Sequence, residues 1–119
     1  MADDGTTRTR TVTCGEVVDW WQNSSVGVEK LDITIESIES NCIVQIQKRN
    51  VEPVPPGQQP PPPVPLEGLK FDKAKGDPLP SGPHRIGLAQ LWRAEIACVK
   101  ANLDHEPKCK VKYTVKWVG

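Results

Sequence analysis

From Cys109 to Trp117 the chain alternates strictly. Cys109, Val111, Tyr113, Val115 and Trp117 are apolar, and Lys110, Lys112, Thr114 and Lys116 lie between them. Successive side chains on a strand point to opposite faces, so a period of two marks a β-strand with one dry and one wet side. The same rhythm occurs earlier. Leu31, Ile33 and Ile35 alternate with Asp32, Thr34 and Glu36, and Cys42, Val44 and Ile46 alternate with Gln45 and Gln47, with Ile43 breaking the pattern. Ser40-Asn41 between these runs is a turn signal, which predicts a β-hairpin. Thr7 to Cys14, rich in Thr and Val, predicts another strand, and Glu16 to Trp21 a shorter one. Gln22 to Gly27 is small and polar and reads as a loop.

The segment before Cys109 admits two readings. As a strand, Trp92, Ala94, Ile96 and Cys98 share one face. As a helix, Leu88, Trp92, Ile96, Val99 and Leu103 fall at spacings of three and four, and Ser81 followed by Pro83 resembles a helix start. The neighbouring strand and the common phase of Cys98 and Cys109 favour a strand over 90–100, making a hairpin with 109–117. The expected fold is therefore mainly β: an antiparallel β-sandwich-like single domain over 1–119. The alternative is α+β with one helix at about 86–101. A chain of 119 residues suits one modest core better than two.

Residues 51–83 hold 11 of the 12 prolines. Proline fixes φ and lacks a donor, so this stretch is barred from a helix or a sheet interior. A proline-rich extended loop or arm within the domain is expected. As polyproline II, Pro53 to Pro65 would reach at most about 40 Å. Pro53–Pro56 and Pro60–Pro63 match P-x-x-P, with Lys48 and Arg49 upstream, the form read by aromatic-lined grooves. A rigid surface loop explains the same residues.

Lys plus Arg and Asp plus Glu each total 15. Zero net charge argues against a nucleic-acid partner, whose phosphates call for a basic excess. No apolar run approaches the roughly 20 residues of a membrane span. Met1 to Arg10 is polar and lacks the apolar region of a signal peptide. The expected location is secreted or cell-envelope, with a leader removed; a cytoplasmic chain is the other reading. Cys14, Cys42, Cys98 and Cys109 bear on this choice, because an even number in a short chain fits a disulfide framework. Phase and spacing predict Cys98–Cys109 and Cys14–Cys42. Buried thiols in a reducing cytosol are the alternative.

Few residues point to catalysis. There is no Cys-x-x-Cys, no Gly-x-Ser-x-Gly, no Gly-rich phosphate loop and no His-Glu-x-x-His. Cys98, His105 and Cys109, with His84 as a fourth ligand, match no standard structural zinc spacing, so neither metal nor cofactor is expected. Asp32 and Glu36 share a strand face and are expected to solvate it opposite the lysines at 110, 112 and 116. Those lysines would suit an edge strand, where charge discourages aggregation.

Four tryptophans stand against one Phe and one Tyr. On a strand, the adjacent Trp20 and Trp21 point to opposite faces, one inward and one outward. An outward Trp beside polar residues is a platform for a sugar ring or a partner's hot spot. Trp20, Trp21 and Asn23 are therefore the candidate ligand-binding residues. Asn23-Ser24-Ser25 is also a glycosylation sequon. These features predict a non-enzymatic binding or assembly module that recognises a protein or glycan, with a homo-oligomer as one assembly its arm could build. A small hydrolase or enzyme inhibitor using His84 or His105 is the alternative.

Overall fold

The computed structural model describes residues 4–39, 42–79, 82–101 and 108–118. Among the described residues eight strands run in chain order: β1 (Asp4–Thr13), β2 (Val17–Gln22), β3 (Glu29–Ile38), β4 (Cys42–Asn50), β5 (Val64–Asp72), β6 (His84–Leu88), β7 (Trp92–Ala101) and β8 (Lys108–Trp117). They form two antiparallel four-stranded sheets, ordered β1-β8-β3-β6 and β2-β7-β4-β5. The expected mainly β, sandwich-like architecture is what the chain adopts. The helix alternative at 86–101 is replaced by β6, a turn and β7. In that turn the Trp92 amide donates to the Ala89 carbonyl, which ends the helical rhythm between Leu88 and Trp92.

The alternating residues behave as their periods require. Cys109, Val111, Tyr113 and Val115 of β8 are buried, as are Leu31, Ile33 and Ile35 of β3 and Cys42, Val44 and Ile46 of β4. A register shift between Ile35 and Ser37 moves β3 by one residue, and this turns Ile38 into the core after Ile35.

Both predicted hairpins are overturned. β3 pairs with β6 and β8, whereas β4 pairs with β5 and β7. Likewise β7 and β8 belong to different sheets. Alternation states only that one face must be dry. Two consecutive strands meet that demand equally well by facing each other across the gap between sheets. The turn signal at Ser40-Asn41 lies outside the described residues. β8 is also an interior strand rather than an edge. Its lysines meet acidic neighbours: Lys116 is in register with Asp32, and Lys110 Nζ lies 3.3 Å from a Glu39 carboxylate oxygen. Arg85 of β6 binds Asp32 through two hydrogen bonds, at 3.0 and 3.2 Å.

The proline-rich stretch is shorter than the sequence predicts. Val64–Asp72 forms β5, an edge strand on β4. Pro65 is tolerated because an edge strand needs donors on one side only. Residues 52–62 are exposed and without regular structure. They also double back. The Gln58 amide donates to the Pro55 carbonyl at 3.1 Å, and Gly57 sits at φ +85°, as a type II turn requires at that position. The segment is thus two short limbs about a turn, not one extended arm.

Candidate functional site

The sequence-predicted cysteine pairs differ from the bond formed. Cys42 of β4 and Cys109 of β8 make the disulfide, with Cα atoms 6.0 Å apart, and it joins the two sheets inside the core. Because β7 and β8 face each other rather than pair, Cys98 still arrives beside Cys109. The three sulfurs of Cys42, Cys98 and Cys109 lie within 4.8 Å of one another. Bridged sulfurs offer no thiolate to a metal, and His105 lies outside the described residues. His84 opens β6 in register with Ile33, and its Nε2 is buried without a hydrogen-bond partner among the described residues.

Trp20 and Trp21 divide as the strand geometry demands. Trp21 is 1% exposed and packs edge-on against Tyr113, ring centroids 5.8 Å apart. Trp20 is 46% exposed on the outer face of β2. Asn23 is 0% exposed and structural. Its Nδ2 donates to the carbonyls of Gly27 and Leu88, both at 2.8 Å, and its Oδ1 accepts from the Ser25 amide. Of the three predicted ligand-binding residues, the structure therefore presents only Trp20 to solvent, and the sequon asparagine is enclosed.

Around Trp20 lies a polar cluster that sequence reasoning missed. Trp20 of β2, Glu95 of β7 and Gln47 of β4 stand in one row, and Arg93 and Arg49 face each other in the next. Glu95 points to the outer side of its sheet yet is 0% exposed. One carboxylate oxygen accepts from Arg93 Nε at 2.6 Å and from Arg49 Nε at 3.0 Å. The other accepts from Gln47 Nε2 at 2.6 Å, and Gln47 in turn accepts from Gln45. The Arg93 guanidinium also lies 4.9 Å from the centroid of the Trp20 ring. Two like charges opposite each other across strands would repel; the shared carboxylate reverses that and fixes both guanidiniums. Arg49, Arg93 and Glu95 are scattered in the chain, and only the β4–β7 register brings them together.

Burial acts to raise the Glu95 pKa, but the hydrogen bonds from Gln47, Arg49 and Arg93 outweigh it, and the carboxyl titrates below its ordinary value of 4.5. A depressed carboxylate stabilises the fold above the unfolded-state pKa, and that contribution is lost as pH falls through the folded-state value. Glu95→Gln is expected to cost about 1.5–3 kcal/mol at pH 7 and to flatten the acid limb of stability below pH 4.5. Urea denaturation from pH 7 to 3 measures both.

A groove lies at one end of the sandwich, lined by Val28, Lys48, Gly87, Ala89 and Trp92. Lys48 Nζ is 5.9 Å from the Trp92 ring centroid. The groove encloses about 230 Å³, below the roughly 300 Å³ at which small-molecule pockets begin. The Trp20 face, not this groove, combines an exposed aromatic with pinned charged groups. Comparison with protein-family models, with curated proteins and with solved structures returns no match to this chain.

Proposed function

We propose that this chain is a non-enzymatic binding module that docks a protein partner on the outer face of the β2-β7-β4-β5 sheet, with Trp20 at the centre of the contact. The observation that carries the reading is the exposed Trp20 indole held against Arg93, which is itself pinned by the buried Glu95. Tryptophan and arginine are the residue types most enriched in interface hot spots. Fixing their side chains beforehand lowers the entropy lost on association. Two guanidiniums share one carboxylate here, leaving a positive excess that suits an acidic group on the partner. The exposed residues 52–62 offer a second contact element beside β4 and β5. A secreted or cell-envelope setting agrees with the Cys42–Cys109 bridge, since such bonds persist in oxidising compartments.

Affinity capture with the immobilised wild-type chain and with Trp20→Ala tests this, alongside a glycan array. The expected result is a protein retained by the wild type and absent from the variant, with no glycan bound. A glycan bound by the wild type and lost in the variant would keep the face but replace the ligand class. Equal retention by both chains would reject the face.

A further inference from the structure

The one pair of cysteines outside the bridge is placed for a second bond. Cys14 is the second residue of the Thr13–Glu16 turn, which the Glu16 amide closes by donating to the Thr13 carbonyl at 3.1 Å. Gly15 at φ +99° supplies the left-handed position this turn needs. The turn is docked on β7 through both of its neighbouring peptides. The Gly15 amide donates to the Cys98 carbonyl at 2.8 Å, and the Cys98 amide donates to the Glu16 carbonyl at 3.0 Å. This clamp brings the Cys14 turn against Cys98, close enough for the Cys14 sulfur to act on the Cys98 thiol. Cys14 is half-buried, whereas Cys98 is enclosed.

We propose that Cys14 and Cys98 are an oxidation site that closes a second disulfide by exchange with a low-molecular-weight disulfide such as oxidised glutathione. Cys14, the more accessible of the two, attacks one glutathione sulfur as its thiolate. A Cys14–glutathione bond forms, the glutathione disulfide breaks, and the released thiolate takes up a proton. The Cys98 sulfur then gives its proton to solvent and attacks the Cys14 sulfur, expelling the second glutathione, which is protonated in turn. Two protein thiols are oxidised to one disulfide and one glutathione disulfide is reduced to two thiols.

Burial, followed by the Cys14 hydrogen bond and charge, pushes the Cys98 thiol up to about 12. The Cys98 sulfur also lies within 4.8 Å of the Cys42 and Cys109 sulfurs, within reach of exchange with that bond. Closing the second bond removes the one thiol able to scramble the first.

The test incubates the full folded chain with excess oxidised glutathione, then unfolds it without reductant and labels it with iodoacetamide. Intact mass is expected to show two labels before oxidation and none after, and a non-reducing peptide map to show Cys14 linked to Cys98. The melting temperature is expected to rise by at least about 5 °C. Cys98→Ser is expected to stop at a stable glutathione adduct on Cys14. Retention of both labels in the wild type, a Cys98–Cys109 link, or an unbridged chain carrying bound zinc would each overturn the proposal. The wild-type map decides this even if the variant fails to fold.

Discussion

Replacing Cys42 and Cys109 together by alanine is expected to lower stability by about 4 kcal/mol. The bond spans 67 residues of sequence, and closing a loop of that length removes about 4 kcal/mol of chain entropy from the unfolded ensemble. It also joins interior strands of opposite sheets, since β4 lies between β7 and β5 and β8 between β1 and β3. Few backbone hydrogen bonds cross from one sheet to the other, so the sandwich is held shut by apolar packing, by side-chain bonds such as that from Tyr113 to Asp19, and by this one covalent link. Both positions must change at once. A single Cys42→Ala leaves Cys109 within reach of the Cys98 sulfur, and the link can re-form there. Guanidinium denaturation measures the loss directly, with a fall in melting temperature of roughly 10–20 °C. A change below about 1 kcal/mol would mean that packing alone holds the sheets together.

The second large effect separates two adjacent tryptophans. Trp21→Ala is expected to cost about 3–5 kcal/mol. The indole is among the largest fully buried side chains and lies edge-on to Tyr113. Its loss opens a cavity beside a ring that is fixed at its other end, where the Tyr113 hydroxyl donates to Asp19 Oδ2 at 2.5 Å. Burial first, and this bond second, raise the Tyr113 pKa, so the ring stays neutral and in place at ordinary pH. Trp20→Ala removes one exposed cation–π contact with Arg93 and is expected to cost only about 0.5–1 kcal/mol. Urea unfolding of the two variants under identical conditions checks the ratio. Similar losses would mean that both indoles serve the core.

The contrast also shows what the chain discloses in one dimension. Periods of two in 31–46 and 109–117 marked dry and wet faces, and the adjacent tryptophans had to split between faces. All of this depends on neighbours along the chain. The sheet to which each strand belongs does not. β3–β4 and β7–β8 read as hairpins because alternation is the same whether two strands pair edge to edge or face each other across a core. The disulfide followed that error: Cys98 and Cys109 were in the right phase, but both Cys98 and Cys42 reach Cys109 from the opposite sheet, and Cys42 takes the bond. Val64–Asp72 was hidden by its proline, although an edge position tolerates one. At the candidate site, Trp20 was legible from its position on β2. Its companions were not. Glu95, Arg93, Arg49 and Gln47 look like ordinary surface residues until the β4–β7 register sets them together. Asn23 misled because a polar residue after two aromatics resembles a binding loop, whereas its amide serves as the cross-brace between the Gly27 and Leu88 carbonyls.

The most direct test of the proposed docking face follows the four indole N–H signals by NMR in nitrogen-15-labelled protein, assigned by single Trp→Phe variants, while the captured partner is added. The Trp20 signal is expected to shift or broaden first, with Trp21 unmoved in the core. A response confined to Trp92, in the end groove with Lys48, and a silent Trp20 would contradict it.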